Sequence, residues 1–127
     1  PRTRNNLEKN GLMKTLTRFP DLLIAEPLSY IKFMNLIYNC RLVITDSGGI
    51  QEETSYLGIP CLTMRPNTER PVTITLGTNR LCNPENLEVR IQTVLCDGKT
   101  QKTDIDLWDG KTALRVVDSI REMAFQR

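Results

Sequence analysis

The sequence predicts an α/β fold, a parallel sheet flanked by helices. Three observations carry that expectation. Short runs of apolar and β-branched residues alternate with stretches of helical periodicity, turn residues separate the two, and one run feeds straight into a Ser-Gly-Gly turn that opens a helix. With 127 residues, 39% of them hydrophobic, a single domain with a real core is expected.

The elements follow in chain order. Residues 3–16 carry Leu7, Met13 and Leu16 among charges, an amphipathic helix that Gly11 weakens. Leu22, Leu23 and Ile24 after Pro20-Asp21 read as a short buried strand, ended by Glu26-Pro27. Ser29 then suits the N-cap of a helix from Tyr30 to about Asn39, with Ile31, Met34 and Ile37 near one face and Tyr30, Phe33 and Leu36 beside it. Arg41 to Thr45 is the second strand. Gly49 to Leu57 forms the helix after the Ser-Gly-Gly turn, with Gly58 as its C′ residue. Pro60 to Met64 and Asn79 to Cys82 complete the strands, and two helices close the chain over residues 84–96 and 110–124, joined by a polar stretch. Strands separated by helices imply parallel pairing with right-handed crossovers, a Rossmann-like arrangement. In such sheets ligands sit at the carboxyl ends of the strands. That edge should hold Pro27-Leu28-Ser29, Asp46-Ser47-Gly48-Gly49 and the segment after Met64 with Arg65, Thr68, Glu69 and Arg70.

Composition narrows the function. A net charge of +2 gives no case for nucleic acid, and the basic residues form no long block. Arg2, Arg4, Lys9, Lys14 and Arg18, facing only Glu8, read as a solvated helix face. No apolar stretch approaches the roughly 18 residues of a membrane span, and no signal peptide is visible, so a cytoplasmic setting is expected. The four cysteines, Cys40, Cys61, Cys82 and Cys96, form no CxxC pair, which argues against a metal site or a disulfide framework. Histidine is absent, so acid–base chemistry must use carboxylates or come from elsewhere.

The chemistry concentrates in Thr45-Asp-Ser-Gly-Gly-Ile-Gln-Glu-Glu53. Two glycines let backbone approach a phosphate, and the free N–H groups and positive dipole end of the helix point at it. Glu52 and Glu53 come too late in the helix to repel that anion strongly, and they can accept hydrogen bonds from neighbouring hydroxyls. Phosphate at the turn and hydroxyls one turn on describe a nucleotide or nucleotide-sugar. Each residue also has a plainer reading. Ser47 can serve only as an N-cap, Glu53 as a surface residue pairing with a neighbour, Glu69 and Arg70 as a surface ion pair, and Phe33 as core. Glu52 is expected to be such a surface residue, since adjacent helical positions point about 100° apart and only one of the two should face the ligand.

Asp46-Ser-Gly-Gly-Ile-Gln-Glu-Glu53, Leu57-Gly-Ile-Pro60, Arg65-Pro-Asn-Thr-Glu-Arg-Pro71, Leu76-Gly-Thr78 and Trp108-Asp-Gly-Lys111 together resemble the carboxyl-terminal domain of the non-hydrolysing UDP-N-acetylglucosamine 2-epimerases. The resemblance runs over nearly the whole chain. It implies a partial carboxyl-terminal domain of a two-domain GT-B-type fold, shared with many nucleotide-sugar glycosyltransferases. It also implies an isomerase of cell-surface polysaccharide biosynthesis that interconverts UDP-N-acetylglucosamine and UDP-N-acetylmannosamine. In that family UDP is eliminated to leave a 2-acetamidoglucal, then re-added after the sugar turns over.

Carried over by position, Ser47, Gly48 and Gly49 match the diphosphate turn, and Glu53 the carboxylate on the ribose hydroxyls. Arg70 matches the arginine facing the diphosphate, and Phe33 a residue near the uracil. The implied ligands are UDP and UDP-N-acetylhexosamines, with no cofactor and no metal, in a full-length enzyme that is a homo-oligomer. The family's general acid/base carboxylates lie in its amino-terminal domain, so no residue here is assigned a catalytic role and the fragment alone is expected to be inactive. Two other readings stay open: the nucleotide domain of a GT-B glycosyltransferase, against which Thr68-Glu-Arg-Pro71 speaks, and a non-catalytic UDP-sugar-binding module.

Overall fold

The computed structural model describes residues 2–98 and 104–125. The expected polar link between the last two helices lies partly outside them, as does Pro1. The chain forms two compact units, Pro1–Leu36 and Ile37–Arg127, which divide inside a helix.

In the first unit the expected amphipathic helix is two helices, α1 (Arg2–Lys9) and α2 (Met13–Leu16). The break falls at Gly11, whose φ of +67° lies in the left-handed region that a continuing helix excludes. Arg4 pairs with Glu26. The strand expected at Leu22, Leu23 and Ile24 does not form, and Leu23 is 87% exposed. Three apolar residues become a strand only when a neighbour completes the ladder and covers them, and neither happens here. The segment Pro27-Leu28-Ser29 therefore loses the strand that would have set it on a sheet edge. Helix α3 (Tyr30–Asn39) has the expected bounds. The Ser29 carbonyl accepts the Phe33 N–H at 2.9 Å, as the residue before a helix should. Ile37 is buried and Phe33 and Met34 half-buried, whereas Ile31 turns to solvent.

The second unit is a three-stranded parallel sheet in the order β1 (Val43–Thr45), β2 (Cys61–Thr63), β3 (Asn79–Leu81). Val43 pairs with Cys61 and Cys61 with Asn79, so the strand ends Thr45, Thr63 and Leu81 lie in register along one edge. Between β1 and β2 runs α4 (Gly48–Leu57), closed by Gly58 in the left-handed conformation, with the Ile59 N–H returning to the Thr54 carbonyl at 2.9 Å. Between β2 and β3 lies α5 (Pro71–Thr75), a short helix not foreseen in the sequence. Its five residues are too few to show a period, but Pro71 stands at the first position, where a missing N–H costs nothing. Helices α6 (Leu87–Asp97) and α7 (Thr112–Phe125) follow.

Leu62, Cys82 and Val94 form the apolar core, with Leu42, Met64, Leu87 and Ile91 packed against it. Burial pushes the thiols of Cys61 and Cys82 above the ordinary cysteine pKa, so both behave as small apolar residues. Cys96, by contrast, is exposed. Among the described residues no helix is long and apolar enough to cross a membrane.

Candidate functional site

The carboxyl edge of the sheet places the Ser-Gly-Gly turn after β1 and the segment ending in Arg70 after β2. Ser47 is the N-cap of α4, with extended backbone (φ −83°, ψ 130°), and its hydroxyl makes no capping hydrogen bond. The plainer reading of this serine as a side-chain cap therefore does not hold, and its hydroxyl is not committed to the helix. Gly48, Gly49 and Ile50 are the first three helical residues, whose N–H groups have no acceptor within the helix. Neither glycine has a positive φ. What they offer is room for close approach rather than an unusual turn.

Helix α4 presents three different faces, because residues four apart share one. Gly48 and Glu52 face the loop after β2. A Cβ on Gly48 would stand 3.1 Å from the Glu69 carboxylate, and Glu52 Oε1 lies 2.9 Å from Arg70 Nε, an ion pair not aligned as a hydrogen bond. Gly49 and Glu53 share a second face, and nothing lies within 4 Å of where a Gly49 Cβ would be. Glu53 is half-buried one turn below. Gln51, Thr54 and Ser55 form the third face and are fully buried.

The plainer reading of Glu69 and Arg70 as an ion pair with each other does not hold. Glu69 instead takes Arg65 at 2.9 Å, and Arg70 takes Glu52. The Glu69 carboxyl is held below the usual range, first by its own backbone N–H and then by Arg65. Glu52 accordingly fits the plainer reading of a surface residue paired with a neighbour, here the side chain of Arg70.

Beneath these residues runs a buried hydrogen-bond network that the sequence reading missed. Gln51 Nε2 donates to the Ser47 carbonyl at 3.3 Å, while Gln51 Oε1 accepts from Thr68 Oγ1 at 2.5 Å and from Asn79 Nδ2 at 3.0 Å. Asn79 Nδ2 also donates to Thr73 Oγ1, and Asn79 Oδ1 accepts from Thr63 Oγ1 at 2.6 Å. Thr68 Oγ1 accepts the Arg70 N–H at 3.0 Å, and Thr73 Oγ1 donates to the Arg70 carbonyl at 2.7 Å. The available signal was that Gln51, Thr54 and Ser55, at i, i+3 and i+4, occupy the stripe where an ordinary surface helix carries apolar residues.

Ser47, Gly48, Gly49, Glu53 and Arg70 thus all belong to the second unit, on α4 or on the loop leading into α5. Phe33 stands on α3 within the first unit, half-buried. Among the described residues, no three His, Cys, Asp or Glu side chains come together as metal ligands would.

With this geometry in view, the comparison with known proteins is decisive. The family model described as UDP-N-acetylglucosamine 2-epimerase matches residues 1–121. The chain belongs to that family.

A UDP-N-acetylglucosamine 2-epimerase of Methanocaldococcus jannaschii is 38% identical over 119 residues, covering 92% of this chain and 32% of the relative. A UDP-2,3-diacetamido-2,3-dideoxy-D-glucuronate 2-epimerase of Pseudomonas aeruginosa is 34% identical over 113 residues, 89% of this chain and 30% of the relative. The solved structure of UDP-GlcNAc 2-epimerase from M. jannaschii superposes with a TM-score of 0.77 at 35% identity, over 96% of this chain and 34% of that one. A structure of the M. jannaschii enzyme in complex with UDP-GlcNAc and UDP gives 0.76 at 34% identity, over 94% and 34%. The fold is therefore the α/β, Rossmann-like sheet of the epimerase family, of GT-B type. The chain spans about a third of the length of the relatives it matches.

Proposed function

We propose that this chain is the carboxyl-terminal, UDP-binding part of a UDP-N-acetylglucosamine 2-epimerase, an enzyme that interconverts UDP-GlcNAc and UDP-ManNAc by eliminating and re-adding UDP. The observation that carries the reading is the arrangement at the N-terminal end of α4. Gly49 leaves space at a helix N-terminus, the Ser47 hydroxyl is uncommitted, and Glu53 lies one turn further along the same face. A diphosphate at the turn would take the N–H groups of Gly48, Gly49 and Ile50, and the Ser47 hydroxyl would add a donor. The ribose, one turn down, would offer two hydroxyls to Glu53. Arg70, on the neighbouring loop, would neutralise the diphosphate, and its charge would stabilise UDP as it departs, with no metal needed.

Two relatives matched over most of this chain are named for different sugars, yet both sugars are linked to UDP. That supports assigning recognition of the nucleotide to this chain. Recognition of the sugar and the proton transfers at C2 then belong to the rest of the enzyme, and Phe33 remains a candidate for the uracil.

Calorimetric titration of the chain with UDP, uridine and AMP tests this. Saturable UDP binding, much weaker uridine binding and none by AMP is the expected pattern. A folded chain that bound AMP as well as UDP, or neither, would contradict it.

A further inference from the structure

The buried network joins the two halves of the candidate diphosphate site. Gln51 holds the carbonyl of Ser47 with one end of its amide, and with the other it accepts the hydroxyl of Thr68. Thr68 in turn accepts the backbone N–H of Arg70, whose carbonyl is held by the hydroxyl of Thr73. Asn79, from β3, donates to both Gln51 and Thr73 and so closes the circuit. Donors and acceptors alternate consistently around it: each amide oxygen accepts and each amide nitrogen donates. Gln51 and Asn79 are almost completely buried, at 0% and 2% exposure, so water cannot substitute for a missing partner.

From this we infer that Gln51 and Thr68 are positioning residues, which fix the backbone of Arg70 against the Ser47 turn and thereby set affinity for the diphosphate. The inference rests on the reading of this edge as the UDP site and adds to it the device that holds the site in shape. Neither side chain is asked to touch the ligand. Thr68 Oγ1 is already engaged on both sides, as donor to Gln51 and acceptor from Arg70.

Thr68→Val is the incisive variant. It keeps the shape of the residue, removes only the hydroxyl, and falls at a half-buried loop position where folding should survive. Gln51→Leu is the companion, with thermal melting as a check that each full chain is folded. UDP and uridine affinities are measured for both, for Thr68→Ser, and for Thr68→Val combined with Arg70→Ala. In Thr68→Val, UDP binding should fall about tenfold while uridine binding changes less than about twofold, the difference one well-placed hydrogen bond makes. Thr68→Ser should restore UDP binding, and Thr68→Val should add no further loss once Arg70 is alanine. A merely structural role would lower UDP and uridine binding together, and that result would overturn the inference. So would UDP affinity within about twofold of the unmodified chain, since no positioning hydrogen bond would then have been lost. An unmodified, folded chain that failed to bind UDP would overturn the reading of the site, and the inference with it.

Discussion

At the scale of single residues, adjacent glutamates on one helix have different surroundings. Glu52 meets Arg70 at 2.9 Å, whereas Glu53 lies on another face of α4, one turn from Gly49 and with one carboxylate oxygen buried. Glu53→Ala should therefore weaken UDP binding by about 1.5–3 kcal/mol, the usual loss for hydrogen bonds to a charged group. Glu52→Gln should cost less than about 1 kcal/mol, since its pair with Arg70 is 42% exposed on both sides. Calorimetry on both variants would separate them, and equal losses would remove the ribose assignment. Gly49→Val provides the matching test at the turn. The space beside Gly49 is open, so thermal stability should hold, while the new side chain fills the path of the phosphate and UDP binding is lost. Sequence alone could say that only one of the two glutamates faces a ligand, because neighbours on a helix point about 100° apart. It could not say what the other would touch, since that partner, Arg70, arrives from a loop eighteen residues away.

At the scale of elements, α4 and the α5–β3 connection approach so closely that only glycine fits at position 77. A Cβ there would come within 2.5 Å of the Thr73 carbonyl oxygen and would also strike Ser55. Gly77→Ala should destabilise the second unit by about 1–3 kcal/mol, read from denaturant unfolding, as expected when a packed interior is overfilled. The start of α7 has its own clasp. Asp109 accepts the Lys111 N–H at 2.9 Å and a two-point contact from Arg115, which also donates to the Leu107 carbonyl at 2.8 Å. Arg115, then the Lys111 N–H, hold the Asp109 carboxyl below its ordinary pKa. Because the folded value is the depressed one, this contribution is complete above the ordinary aspartate range and is lost as pH falls through the folded value. Asp109→Asn should loosen α7 at neutral pH and leave little further change on acidification, as amide exchange along the helix would report.

The expected bounds of α3, α4, β2 and β3 agree with the structure to within one or two residues, because glycine, proline and serine punctuate them and periodicity fills them. The strand at Leu22–Ile24 was misread for the opposite reason. Pairing is non-local, and nothing in three apolar residues shows whether a neighbour will be there. The Ser-Gly-Gly turn and the helix it opens were legible because they are local. The Gln51–Thr68–Asn79 network was not, since it joins residues from α4, a loop and β3 that only the fold brings together.

For the molecule as a whole, the claim that matters is that the carboxyl edge of this sheet is a UDP site built on α4. An NMR titration of the 15N-labelled chain with UDP tests it most directly, because each backbone amide reports separately. The expected result is saturable shifts centred on the amides of Gly48, Gly49 and Ile50, extending to Arg70, and absent with AMP. Saturable binding whose shifts left α4 untouched and centred elsewhere in the chain would contradict the account.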